Sequence, residues 1–326
     1  MQGKRYRYIQ WDAHSSPIAF IVAVLIFAIF TPNHLFIDPR NLGSLAKLTP
    51  DIGIVALGIG ILMICGEFDL SIASVLPFCS YIFTMFFKAG LNPFAGLLLL
   101  LPIGAVFGLL NGIIVVGTGL PSFIITLSMM MFWRGLLYGI SRMMPISILS
   151  YVSKHPGFEK MLTGQLGPIP MQIIWFLGFA VVLGFMLHRN KFGNWIYATG
   201  SNPQAARAMG ISIGLVKTIC YMIIGALCAF ASVMQSVRLG SFAATQGIGF
   251  ELKAIAAVVV GGTSLRGGVG RMLGICLGVF IIQIVENGLI LMQVPVFGVE
   301  TFIGVAVVVF VILNTAVRRR VAHESD

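Results

Sequence analysis

Apolar segments of about 17 to 25 residues follow one another along almost the whole chain, each long enough to cross the roughly 30 Å hydrocarbon core of a bilayer as a helix. That succession limits the fold more than any motif does, because a backbone in hydrocarbon must satisfy its own hydrogen bonds. Hydrophobic residues make up 58% of the 326 positions and charged residues only 10%, against about 25% charged in soluble domains. Mean hydropathy is +0.97. The chain reads as an all-α integral membrane protein, a single transmembrane domain over residues 1–326 with no soluble domain left over.

Spans are expected near 17–32, 49–65, 70–88, 94–116, 121–141, 171–188, 215–236, 252–262, 271–292 and 300–317, about ten in all. The segment at 252–262 is too short to cross alone and reads as a half-helix or part of a broken one. The basic N-terminus followed by an apolar run has the layout of a signal peptide. Pro32-Asn33-His34 offers no small-residue cleavage pattern, however, so the run reads as a retained first span.

The net charge of +10 is spread over segment ends rather than gathered on one face, which points to membrane topology and away from nucleic acid. With the N-terminus inside, twelve Lys and Arg fall inside, eight outside, and Arg134 within a span. The tail Arg318-Arg319-Arg320 is an inside anchor, so both termini are expected in the cytoplasm. The longest outside excursion, about 142–170 with Pro145, Pro156, Pro168 and Pro170, reads as an external docking surface or as a solvated connector. Cys65, Cys79, Cys220, Cys228 and Cys276 lie in or beside apolar segments with no ligand spacing, so they read as small hydrophobes rather than as disulfide or metal positions.

Three polar stretches interrupt the apolar pattern. In Gly200-Ser-Asn-Pro-Gln-Ala-Ala-Arg-Ala-Met-Gly-Ile211, Asn202 can cap a helix, Pro203 suits its first position and Gly210 can end it in the left-handed conformation. The result is a short polar helix on the cytoplasmic face, either a grip for a partner or a helical connector. In Cys65-Gly-Glu-Phe-Asp-Leu-Ser71 the chain breaks between two spans, and Asp69 or Ser71 can cap the helix that follows. Buried carboxylates cost several kcal/mol unless paired or wet. Capping and a direct role in a transport path or its gating therefore both stand for Glu67 and Asp69.

The third stretch, Val260-Gly-Gly-Thr-Ser-Leu-Arg-Gly-Gly-Val-Gly-Arg271, lacks the Lys-Ser/Thr ending of a phosphate loop. It reads as a turn where backbones pass closely. Gly261, Gly262, Thr263 and Ser264 thus join Glu67, Asp69 and Ser71 as candidates for the translocation pathway or its gating. Arg134 needs a carboxylate, carbonyls or water, with Glu286 and Glu300 as candidate partners, unless it snorkels to an interface. His14, His34, His155, His188 and His323 are scattered, and no HExxH or GxSxG occurs, so no catalytic set is expected.

Together the three stretches, namely Gly66-Glu-Phe-Asp-Leu-Ser-Ile-Ala-Ser74, Gly200 to Ile211 and Gly249-Phe-Glu-Leu-Lys through Arg271, resemble the permease subunits of bacterial ribose-type ABC sugar importers across nearly the whole chain. The resemblance implies a second permease copy or paralogue, a cytoplasmic ABC ATPase and a periplasmic sugar-binding protein as partners. It implies location in the bacterial cytoplasmic membrane and a monosaccharide cargo, a pentose or a related sugar or polyol. The family's ATPase-coupling loop falls on Gly200, Asn202, Ala205, Ala206, Arg207 and Gly210. No cofactor is then expected on this chain, since ATP and Mg would be used by the partner ATPase. The chain departs from the family at Glu67-Phe68, where Gly-Ile is usual, and at Lys253, where an acidic residue is common. Three other readings remain: an importer permease for a furanosyl signalling molecule or nucleoside, an ion- or proton-coupled carrier that works alone, and a structural membrane scaffold with no central cavity.

Overall fold

The computed structural model describes residues 2–295, 297–305 and 308, with side chains from Ser16 onward. Its elements run α1 (Gln2–Phe30), a 3-10 turn (Pro32–Ile37), α2 (Pro39–Ile64), α3 (Ile72–Lys88), α4 (Pro93–Thr118) and α5 (Ser122–Ser141). There follow β1 (Ile146–Ser147), α6 (Leu149–Val152), α7 (Pro156–Thr163), β2 (Gln165–Leu166), β3 (Ile169–Pro170), α8 (Met171–Arg189), α9 (Lys191–Ser201) and α10 (Pro203–Ala208). The order closes with α11 (Ile213–Leu239), β4 (Ser241–Phe242), α12 (Phe250–Val260) and α13 (Met272–Leu291).

Three helices share one start signal, an Asx cap followed by proline. Asp38 accepts from Arg40 N at 2.7 Å to open α2, and Asn92 accepts from Phe94 N at 2.9 Å to open α4. Asn202 accepts from Ala205 N at 3.0 Å to open α10. In each, the proline at the first position lacks the N–H that would be orphaned there anyway.

Among the described residues six helices, α2, α4, α5, α8, α11 and α13, are long and apolar enough to cross a membrane, and Ser16–Phe30 and α3 are shorter apolar helices. The 11-residue α12 is the short element expected at 252–262. The last expected span, 300–317, and the tail Arg318-Arg319-Arg320 fall mostly outside the described residues; within the described part, 297–305 is helical with Val299 and Ile303 buried.

The core is built around α2, which is buried without interruption from Thr49 to Ile64 and is covered by α8, α11, α12 and α13. A helix apolar on all sides suits that position. Against it, α11 crosses α4 so closely that a Cβ on Gly108 would lie 2.9 Å from Met222 N, and one on Gly112 would lie 2.9 Å from Thr218 Cα. Gly104, Gly108 and Gly112 repeat at four-residue spacing, a small-residue seam that lets backbones meet where no hydrophobic drive separates helix from lipid. By contrast α5 buries only Ser122, Thr126, Leu137 and Ser141 and turns Ile124, Met131 and Phe132 outward.

Residues 142–170 are neither loose nor a simple connector. β1 pairs antiparallel with β4, Ile146 opposite Phe242, and β2 with β3. Phe158 of α7 is buried with its ring against Phe83 and Phe94, and Trp175 Nε1 donates to Met161 O at 2.9 Å. This cap closes the end of the bundle where α3, α5 and α11 finish. The opposite end gathers the start of α3, α9, α10 and the 261–271 turn.

Candidate functional site

All three polar stretches meet at that second end. Gly268 N donates to Ile64 O at 2.8 Å, pinning the glycine-rich turn to the last residue of α2. A Cβ on Gly267 would lie 2.9 Å from Gly66 Cα and 3.0 Å from Gly200 O, so a residue of each stretch touches the same point. Gly267 has φ +81°, a region where only glycine is at ease. Tyr197 OH donates to Gly270 O at 2.6 Å. Burial pushes that phenol up to about 12, against a smaller downward pull from Arg271, so it stays a donor at any physiological pH. Gly261 sits backbone to backbone against Gly274 of α13, with Ser16 Oγ donating to Gly261 O at 3.1 Å.

The carboxylates of the first stretch are fully engaged. Asp69 accepts from Ser71 N at 2.8 Å and Ser71 Oγ at 2.6 Å in the turn before α3, whose N-cap is Ser71 without a side-chain cap bond, while Asn111 Nδ2 donates to Ser71 Oγ at 2.7 Å. Neighbouring backbone is held in turn: Phe68 N donates to Ser122 Oγ, Leu70 N to Thr126 Oγ1, and Tyr221 OH to Phe68 O. Glu67 is ion-paired with Lys217 of α11. Local hydrogen bonds to Ser71 and Asn111 and an ion pair to Lys217 thus account for both acids inside the chain, and their part in a pathway or its gate is a separate proposal. Ser264 N donates to Val269 O within the glycine turn, and Thr263 is buried beside it.

The helix α10 forms where its cap and proline place it, and Gly210 follows it at φ +82°. Asn202, Pro203, Gln204, Ala205, Arg207, Ala208 and Met209 are exposed, Met209 at 70%. Ala206 departs from the expectation of an alanine free for a partner's groove. It is 1% exposed, because the inner side of this single-turn helix rests on the chain itself and Ile211 N donates to Ala206 O. The outward surface includes Gln204, Ala205, Arg207, Ala208 and Met209.

Arg134 also differs from expectation. Neither Glu286 nor Glu300 reaches it; it donates to Ser74 Oγ at 3.2 Å and to the carbonyls of Ala244 at 3.0 Å, Gln246 and Ala73. Those partners lie 60 to 112 residues along the chain. Glu286 instead binds Lys253 at 2.7 Å.

That last pair belongs to a feature the sequence reading missed. A cavity of about 250 Å³ lies between α2, α11, α12 and α13, toward the capped end. One wall carries the ion pair of Asp51 with Arg238, another that of Lys253 with Glu286. Gln283 Nε2 donates to Glu286 Oε2 at 3.0 Å, and Asn41 and Asn287 exchange two bonds at 3.0 and 2.9 Å at the rim. Polar residues at three- and four-residue spacing inside apolar runs, Gln235 with Arg238 and Gln283 with Glu286 and Asn287, are the signal that marks this face in the sequence.

Among the described residues no group of His, Cys, Asp and Glu is arranged to hold a metal, and the five cysteines are free thiols.

Residues 41–314 match the family model described as branched-chain amino acid transport system / permease component. The chain is 32% identical over 315 residues to the ribose import permease protein RbsC of Escherichia coli (strain K12), covering 96% of this chain and 95% of that one. It is 34% identical over 297 residues to RbsC of Bacillus subtilis (strain 168), 91% of each. It is 31% identical over 310 residues to the xylose/arabinose import permease protein XylH of Sulfolobus acidocaldarius, covering 92% and 85%. No solved structure matches it significantly.

Proposed function

The chain belongs to the family of branched-chain amino acid transport system permease components, and from that premise we propose that it is the membrane-spanning subunit of an ATP-binding cassette importer for a monosaccharide in the bacterial inner membrane. The relatives, matched over nearly their full length, are named for ribose, xylose and arabinose, which favours a pentose or a related sugar or polyol over the amino acid in the family's title. ATP is hydrolysed by a separate ATPase subunit, a periplasmic binding protein delivers the cargo, and a second permease completes the passage.

The observation that carries this reading is the junction at Gly66, Gly200 and Gly267. The exposed helix α10 follows directly from a backbone knot that also holds the end of α2, the start of α3 and the turn before α13. A push on α10 is thereby delivered to three membrane elements at once. The proposed orientation places this end in the cytoplasm, where Arg189, Lys191, Arg207, Arg266 and Arg271 are exposed, as the distribution of positive charge favours. Two of the cations at the other end, Arg238 and Lys253, are held in ion pairs instead. In this account Glu67, Asp69, Ser71, Gly261, Gly262, Thr263 and Ser264 form the hinge and gate at the cytoplasmic mouth.

Copurification with the neighbouring ATPase tests the assignment. The complex is expected to turn over ATP faster when sugar-loaded binding protein is added, and the chain alone to bind no ATP. Specific ATP binding by the isolated chain would refute it.

A further inference from the structure

The cavity between α2, α11, α12 and α13 lies at the end of the bundle remote from α10 and takes no part in the junction there. We infer that it is a binding site for a neutral polyhydroxylated ligand of monosaccharide size, a way-station for the cargo; this rests on the permease reading above. Three features of its walls define the ligand.

The first is charge. Asp51 is paired with Arg238 and Lys253 with Glu286, so the cavity holds two cations and two anions and no net charge. A bare ion would compete with one of these pairs, and leaving the buried Asp51 without its partner is strongly unfavourable. A neutral ligand leaves both intact.

The second is unused hydrogen-bonding capacity. Asp51 and Gln235, 5% and 7% exposed, line the cavity, and Asp51 Oδ1, Gln235 Oε1 and Arg238 Nε are buried with no partner in the chain. Two acceptors and a donor on side chains that line one cavity suit hydroxyl groups, which both donate and accept. Buried polar atoms are normally satisfied, so a small turn of these side chains toward a ligand or ordered water would complete them.

The third is size and texture. A volume of about 250 Å³ is at the small end of small-molecule sites, ~300–1,000 Å³, and is better matched to a single sugar ring than to a nucleoside. Ile52 and Phe250 supply apolar surface beside the polar atoms, as the C–H face of a sugar requires.

The test uses the full importer in liposomes, with Gln283→Cys introduced at the cavity in a Cys276→Ser background, the other native thiols being buried. Labelling of that cysteine by N-ethylmaleimide is followed with D-ribose, D-xylose or myo-inositol present, and with L-leucine as the control. At least one of the three polyols is expected to slow labelling severalfold while leucine does not. Gln235→Met, which keeps the side-chain length and removes the acceptor, is expected to raise the KM of uptake of that polyol about threefold to tenfold. Equal labelling with and without polyols together with an unchanged KM, or protection by leucine alone, overturns the site while uptake by the unsubstituted complex leaves the permease reading standing. Failure of the unsubstituted complex to transport any of the three overturns both.

Discussion

Gly200 shows how much of the junction rests on single residues. A Cβ there would run into Ile64 O and lie 2.6 Å from Gly268 N, and neither backbone can move without breaking the bond between them. Gly200→Ala is therefore expected to lower the stability of the purified protein by about 1–3 kcal/mol, the usual range for overpacking. Gly117→Ala, on α4 with nothing within 4 Å of its Cβ, is expected to leave thermal unfolding in detergent unchanged or slightly raised. Equal effects of the two would remove the close approach from the account. Asp69 is legible only in part at the same scale: its carboxylate does bind Ser71 at the start of α3, but as a turn before the helix, and the N-cap Ser71 makes no side-chain cap bond. That carbonyls could hold Arg134 was legible, but not which ones, because every residue has that group; α3 and the 244–246 segment supply them in place of the candidate carboxylates Glu286 and Glu300.

At the scale of elements, α10 was readable in every local detail, since its cap, proline and terminal glycine act within ten residues of one another. Which side of it faces inward was not readable, because that depends on what packs beneath. The burial of Ala206 gives a sharp pair of expectations. Met209→Glu places a charge on the exposed surface and is expected to leave the protein inserted and folded while abolishing sugar-stimulated ATP turnover by the complex, through loss of docking. Ala206→Glu buries a charge against the chain itself and is expected to lower the amount of folded protein in the membrane, as an unpaired buried charge should. Size-exclusion profiles and ATPase assays on both variants separate the cases. A Met209→Glu complex with normal stimulation would reduce α10 to a connector. The same contrast explains residues 142–170. Their prolines announce turns, but the docking of Phe158 on Phe83 and Phe94 is a tertiary event that turn signals do not encode.

Across the whole molecule, the membrane class and the placement of the apolar helices followed from segment length and composition, because the bilayer thickness fixes both. The cavity did not, although its polar residues stand out once their helical spacing is counted. Its walls come from four helices distant in the chain, and a pattern on one helix does not say what it faces. In the proposed account the two ends of the bundle divide the labour: backbones packed closely by glycines where a partner would push, and a cavity lined by two ion pairs where cargo would rest.

The central claim is that the energy for transport enters through a partner at α10 rather than through an ion gradient. Uptake of radiolabelled ribose and xylose into liposomes containing the permease, its ATPase and its binding protein tests this most directly. The account predicts accumulation only when ATP is enclosed on the α10 side and binding protein is present on the other, with no uptake by the permease alone under an imposed proton or sodium gradient. Gradient-driven accumulation by the permease alone would contradict it.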